Sequence, residues 1–234
     1  MKLLHLYHDI MNLYGDYANI LAVQRILEKS GETVEVDRLS LNDNAVMSDY
    51  DFIFVGSGTE KNQKVVLADF AKYKDQLKAY IASSKPLLMT GNSFEMLGAS
   101  ITDGDGKVYD ALGLYDFTVI EERGHRYTAD MICKAEFLTK HPVGFINKSG
   151  MIYGVEHPMF RVEFGIGNNA GENTEGICDR NFYGTHLTGP ILEKNPDFLV
   201  YIARLILDRK PETAHLVYER RGYESTLKKL SERI

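Results

Sequence analysis

The sequence predicts an α/β fold built on a mostly parallel sheet. Short apolar runs alternate with helical patterns as far as residue 98, and several of these runs end in glycine-containing turns. We expect strands at 2–7, 33–36, 51–55 and 86–90, and helices from 16 to 29 and from 62 to about 82. Because parallel sheets bind ligands at the carboxyl ends of their strands, a site is expected at the turns around Gly56, Ser57, Gly58 and Gly91.

The second half of the chain has a different pattern, with many short β-like runs separated by Gly and Asn turns. We expect hairpins and a mixed sheet edge between residues 101 and 186. Asn195 is predicted to open the last core helix, which ends by Lys210 because Pro211 follows. The predicted organisation is one domain over 1–210, followed by a charged helical tail over 211–234.

Composition narrows the classes of function. The 234 residues carry a formal net charge of −6, which argues against general nucleic-acid binding. No apolar run reaches transmembrane length. Cys133 and Cys178 are the only cysteines, which indicates a reduced, cytoplasmic setting and no disulfide framework. The histidines show no ligand spacing, so neither a metal nor a cofactor is expected.

The run PLLMTGNSFEMLG at 86–98 is the most informative stretch. It reads as a buried strand, a sharp turn at Gly91-Asn92-Ser93, and the start of a helix. A strand that turns sharply into a helix is the scaffold of a nucleophile elbow, in which backbone N–H groups at the helix start can hold an oxyanion.

This stretch resembles the elbow of class I (triad-type) glutamine amidotransferases of the cobyric acid synthase-like branch. The resemblance implies a flavodoxin-like α/β domain. It places the family's nucleophilic Cys on Gly91 and the family's substrate-contacting Gln on Glu95. Glycine carries no nucleophile, so the elbow is predicted to be present and its reactive group absent.

Further motifs resemble one narrow branch, the glutaminase (GatD) subunits of lipid II isoglutaminyl synthase. They lie in order at 12–16, 54–63, 143–150, 167–176 and 184–192. The resemblance implies glutamine hydrolysis that delivers ammonia to a Mur-ligase-like (MurT-type) partner. There the ammonia converts the glutamate of lipid II to isoglutamine during peptidoglycan synthesis.

Two other positions depart from the family's pattern. The family's catalytic His falls on Thr188, which cannot act as a general base at neutral pH. His186 lies two residues earlier, on the same face of a predicted strand but about 6–7 Å away. Ser57 replaces a glycine in a loop that donates a backbone N–H to the oxyanion in the family. The prediction is therefore a degenerate site with no catalytic residue.

Two alternatives stay open at this point. An active enzyme could use relocated catalytic residues. The candidates are His186 and Cys178, and Cys133 ranks below them. Alternatively, the old pocket could bind a small amino acid without turnover, and Arg126 matches an Arg thought to hold the substrate carboxylate. The pocket residues that both alternatives share are Gly56, Ser57, Gly58, Asn92, Glu95 and Arg126. Asp16 is interpreted as a helix N-cap, and Glu95 could instead be an exposed helix residue.

Overall fold

The computed structural model describes residues 1–234 and contains a central parallel sheet with helices on both faces. The first half supplies β1 (Lys2–Leu6), α1 (Tyr17–Lys29), β2 (Glu35–Leu39), β3 (Phe52–Val55), α2 (Glu60–Phe70), α3 (Lys74–Ala82) and β4 (Leu87–Thr90). The second half supplies β5 (Ser100–Thr102), β6 (Val108–Asp110), β7 (Thr118–Glu121), β8 (Tyr127–Lys134), β9 (Val143–Lys148), β10 (Gly150–Tyr153), β11 (Phe160–Phe164), β12 (Thr174–Glu175), β13 (Ile177–Asp179), β14 (Phe182–Thr185), α4 (Ile191–Lys194), α5 (Pro196–Leu207) and α6 (Val217–Ser231).

The central sheet has the order β13-β14-β4-β3-β1-β2, and only the β13–β14 pair is antiparallel. Its inner strands are apolar on both faces because helices cover both. Ile53 and Leu87 pack with α2 and α3, whereas Phe52 and Leu88 pack with α1 and α5. The predicted α/β fold with a mostly parallel sheet is confirmed.

The second half supplies the expected mixed sheet edge, the antiparallel hairpin β13–β14 beside β4, and it also forms two further sheets. One has the order β10-β7-β5-β6, and the other is the antiparallel sheet β12-β11-β8-β9. The sequence pattern predicted that this half consists of short strands. It could not assign them to sheets, because pairing depends on contacts between distant residues.

Three local predictions need correction. The helix predicted from residue 62 begins at Glu60, because Thr59 is the N-cap and its Oγ1 accepts from Asn62 N at 3.1 Å. It is also two α-helices, which a short 3-10 turn at Ala71–Tyr73 separates. The segment after β4 is a 3-10 helix, Gly91–Leu97, rather than an α-helix.

The C-terminal helix α6 packs against the body of the molecule. Tyr223 and Leu230 are buried against Ile132 of β8 and Val143 of β9. The Tyr223 hydroxyl donates to the carbonyl of His141 at 3.0 Å. No helix in the structure is long and apolar enough to cross a membrane.

Candidate active site: a closed elbow

The turn after β4 has the backbone of a nucleophile elbow without room for a nucleophile. Gly91 has φ +60°, a conformation that L side chains rarely adopt. A Cβ atom added at Gly91 would lie only 2.2 Å from Cβ of Ser57. The side chain of Ser57 therefore fills the space into which a cysteine at this turn would project.

Ser57 is held in that position by a buried carboxylate. Its backbone N–H and its Oγ donate to Oδ2 of Asp16 at 2.8 and 2.7 Å, and Oγ1 of Thr90 donates to the same oxygen at 2.8 Å. Asp16 is fully buried, and burial raises the pKa of its carboxyl, although the three hydrogen bonds act in the opposite direction. Asp16 thus joins the loops that follow β1 and β3 to the last residue of β4.

Asp16 occupies the N-cap position of α1, as interpreted, but it does not act as a capping side chain. Its side chain caps nothing, and Asn12 Oδ1 accepts from the first N–H of α1, that of Tyr17, at 2.9 Å. The sequence pattern misled because an Asp at the start of a helix is a common cap. Only the tertiary structure brings Ser57 and Thr90 within reach of this carboxylate.

The backbone donors of the loop after β3, which could hold an oxyanion, are already occupied. The N–H of Ser57 donates to Asp16, and the N–H of Gly58 donates to Oδ1 of Asn92 at 3.0 Å. An oxyanion binding here would have to displace both acceptors. Since oxyanion stabilisation depends on donors that are free and already aimed at the developing charge, this loop lacks the feature that catalysis requires.

His186 lies beside the elbow, but both of its ring nitrogens are engaged. Nε2 lies 2.9 Å from Oε1 of Glu95, and Nδ1 lies 3.2 Å from Oε1 of Glu175. The ring also packs edge-on against Phe94, with 4.7 Å between the centroids, and the residue is 2% exposed. No ring nitrogen is free to take a proton from a nucleophile.

The carboxylates around His186 have partners of their own. Gln63 Nε2 donates to Oε2 of Glu95 at 2.6 Å, and Thr185 Oγ1 donates to Oε2 of Glu175 at 2.6 Å. Glu95 is 3% exposed, so its interpretation as an exposed first-turn residue is wrong. His186, Glu95 and Glu175 therefore form a buried network in which every ring nitrogen and carboxylate oxygen has a hydrogen-bond partner.

Thr188 also lies at the elbow pocket, but it is not part of strand β14. β14 ends at Thr185, so the prediction that His186 and Thr188 share a strand face is wrong. Thr188 instead pairs with Phe145 in an isolated bridge, and its Oγ1 donates to the Phe145 carbonyl at 3.1 Å. Both residues nevertheless line the pocket at the elbow.

That pocket has a volume of about 20 Å³, which is close to what one water molecule needs and far below the size of glutamine. Of the six predicted pocket residues, Gly56 alone does not line it. A Cβ atom at Gly56 would lie 2.4 Å from the carbonyl oxygen of Met11, so this glycine serves a close backbone contact.

The mouth of the pocket is closed by a chain of polar contacts. Arg126 Nη1 pairs with Glu60 Oε1 at 2.7 Å, and Nε donates to Oδ1 of Asn147 at 2.5 Å. Asn147 Nδ2 in turn donates to the hydroxyl of Tyr14 at 3.0 Å. Arg126 thus lines this pocket, and its charge is matched by Glu60.

Neither cysteine belongs to the pocket. Cys178 lies on β13, where burial and then Asp179 raise the pKa of its thiol to about 11. Cys133 is buried, and burial raises its pKa well above the usual value. Both thiols are free, and both stay protonated at neutral pH.

Sequence reasoning missed Lys148, which also lines the pocket. It is 4% exposed, and Nζ donates to the carbonyls of Gly167 and Asn168 at 2.8 and 2.9 Å. Burial lowers the pKa of this amine to about 8, although Glu175 and Glu95 oppose the shift. The one sequence signal that Lys148 belongs to the pocket was its position in the 143–150 motif. That signal was weak because a lysine in a strand usually faces solvent.

The α/β sheet with an elbow after β4 defines the class: the glutamine amidotransferase fold. Solved structures agree. PurLQS from Thermotoga maritima matches with a TM-score of 0.58 at 13% identity, covering 88% of this chain and 97% of that chain. A glutamine amidotransferase from Thermotoga maritima matches with a TM-score of 0.52 at 12% identity, covering 100% of this chain and 97% of that one.

The sequence places the chain more narrowly. The CobB/CobQ-like glutamine amidotransferase domain matches residues 2–196, and the chain belongs to this family. The GatD subunit of lipid II isoglutaminyl synthase (glutamine-hydrolyzing) from Staphylococcus aureus is 30% identical over 210 residues, covering 90% of this chain and 86% of that protein. The corresponding subunit from Streptococcus pneumoniae is 29% identical over 212 residues, covering 90% and 82%. The resemblance predicted from the motifs is confirmed.

Proposed function

We propose that this chain is a GatD-like amidotransferase subunit that has lost glutamine hydrolysis and acts as a non-catalytic partner of a Mur-ligase-like (MurT-type) subunit. Its relatives are named as subunits of lipid II isoglutaminyl synthase, which supports a role in a ligase complex of peptidoglycan amidation. The two free cysteines fit the cytoplasmic setting that the sequence predicts.

The observation that carries the proposal is the contact between Ser57 and the turn at Gly91. A site that had merely lost its thiol would still have room for one. Here the neighbouring loop fills that room, and Asp16 and Thr90 hold the filling side chain in place. The loss of the nucleophile is therefore matched by repacking of its surroundings.

Two features argue against relocated catalysis. A general base needs a free nitrogen within hydrogen-bond reach of the nucleophile, and His186 has both nitrogens against carboxylates. Cys178 lines a different groove, away from the elbow, and its raised pKa opposes formation of the thiolate that would attack.

The amino-acid sensor is also disfavoured. A carboxylate ligand would need the guanidinium of Arg126, which already binds Glu60 and Asn147. It would also need space for a side chain, and the pocket has about 20 Å³. Binding would require opening of the mouth, at the cost of these polar contacts.

The experiment is glutamine-dependent ammonia release by the purified chain, alone and with a co-expressed Mur-ligase-like subunit. The wild type should be silent in both conditions. A triple variant, Ser57→Gly with Gly91→Cys and Thr188→His, tests whether the scaffold can regain turnover. The double variant that keeps Ser57 is its matched control and should stay silent, because the incoming thiol has no room.

The partner role has a separate readout. The complex with the ligase subunit should elute as one species in size-exclusion chromatography, and its ligase should use ammonium chloride but not glutamine as the nitrogen source. Glutamine-dependent amidation by the wild-type complex would overturn the proposal. Failure of the two chains to associate would overturn the partner role alone.

A further inference from the structure

A large open groove lies away from the elbow, over the sheet β12-β11-β8-β9. Its volume is about 650 Å³, within the ~300–1,000 Å³ range typical of small-molecule sites. Part of its wall is apolar. The apolar lining residues are Phe137, Pro158, Met159 and Phe160.

A row of polar side chains crosses the floor of this groove. Arg161 of β11 lies directly opposite Lys134 of β8 on one side and Thr174 of β12 on the other. Residues at one register position share a face of the sheet, and all three line the groove. Two cations and a hydroxyl therefore lie side by side on adjacent strands.

The two cations have no anionic partner within the chain. Neither Lys134 nor Arg161 takes part in an ion pair, although other exposed cations do, as at Arg126–Glu60 and Arg233–Asp130. The carboxylates that also line the groove, Glu136 and Glu156, pair with neither cation. The remaining titratable groups there are His157 and Cys178.

Like charges directly opposite each other on neighbouring strands destabilise a sheet. An arrangement that is unfavourable in the free protein becomes favourable when an anion lies between the cations. An Arg guanidinium offers two parallel N–H donors to one oxyanion, and an adjacent Lys adds a third donor and a second charge.

We propose that the groove lined by Lys134, Arg161 and Thr174 is a second binding site, which takes a ligand with a multivalent oxyanion, phosphate or carboxylate, attached to an apolar body. The oxyanion binds the cation row, and the apolar body lies against Phe137 and Met159. The site is separate from the elbow and does not depend on whether glutamine hydrolysis is lost.

The test uses inorganic pyrophosphate and citrate as probes, titrated into the full-length chain by isothermal titration calorimetry. At least one of the two should bind, and Arg161→Gln or Lys134→Gln should weaken that binding by about tenfold or more. Stronger binding of pyrophosphate indicates a phosphate-bearing ligand, and stronger binding of citrate indicates a polycarboxylate.

The matched control is Arg204→Gln, an exposed cation on α5 that removes the same charge elsewhere and should leave the affinity unchanged. The proposal is overturned if neither probe binds at millimolar concentration, if the groove variants bind as the wild type does, or if Arg204→Gln weakens binding equally. Thermal shift with each probe provides a second readout, in which the wild type gains stability and Arg161→Gln does not.

Discussion

Family membership suggests a ligand site in the pocket at the elbow and none in the groove over the β12-β11-β8-β9 sheet. In the structure, by contrast, the pocket is nearly closed and the groove is open. The elbow pocket has about 20 Å³, and its polar groups almost all bind one another. The groove has about 650 Å³, and its two cations bind nothing in the chain. The inherited site is thus satisfied internally, whereas a surface away from the elbow keeps two cations that no carboxylate of the chain pairs with.

The largest expected effect lies in the buried network beside the elbow. His186→Leu should lower the free energy of unfolding by about 3–5 kcal/mol, because Glu95 and Glu175 would lose the partner between them. Urea denaturation measures this loss, with the exposed His157→Leu as the control, expected within about 0.5 kcal/mol of the wild type. A neutral His186→Leu would mean that the network is not what holds this region together.

The next effect tests how tightly the elbow is closed. Gly91→Cys alone should destabilise the chain by about 3 kcal/mol, since it combines backbone strain with overpacking against Ser57. Adding Ser57→Gly should recover much of that loss, and the coupling in a double-mutant cycle measures the contact. Additive effects of the two substitutions would show that Ser57 does not occupy the thiol's space.

Lys148 predicts a pH dependence. Its pKa is lowered to about 8 in the folded chain, so the unfolded chain binds the additional proton between about pH 8 and 10.5. Stability should therefore rise with pH across that window, by about 3 kcal/mol at most. Subtracting the free energy of unfolding of Lys148→Gln from that of the wild type at each pH removes the contribution of other groups. If this difference does not change from about pH 7.5 to 10.5, the lowered pKa of Lys148 is contradicted.

The smallest effect concerns the open groove. Without any anion present, Lys134→Thr should raise the free energy of unfolding by about 0.5 kcal/mol, because it removes a like-charge pair between β8 and β11. Pairing the variant with Lys140→Thr, which changes an exposed lysine outside the sheet, isolates the cross-strand contribution. Equal effects of both substitutions would indicate that overall charge, and not the pair, is responsible.

Much of the scaffold could be predicted from local patterns. The apolar runs at 51–55 and 86–90 identified two central strands of the parallel sheet, and the turn at Gly91 marked the elbow. These signals are local because strand and helix periodicities repeat within a few residues. The division of the second half's strands among three sheets was not predictable in the same way, since it rests on pairing across long separations.

The residues of the candidate site were named from the sequence, but their hydrogen-bond partners were not. Glu95, Arg126, His186 and Thr188 line one pocket in the structure. Their partners were not foreseeable, because Glu60, Asn147 and Glu175 come from distant segments. A residue's type shows what it can bind, but its neighbours decide whether that capacity is already used.

By itself, the sequence determined the α/β class, the family, and the absence of a thiol at Gly91, because each depends on residues that are adjacent in the chain. Only the tertiary structure decided that Ser57 fills the vacated space, that Asp16 holds it there, and that Lys134 faces Arg161. The physical reason is that steric exclusion and charge pairing act between atoms in space, over a few ångströms, whatever their separation along the chain.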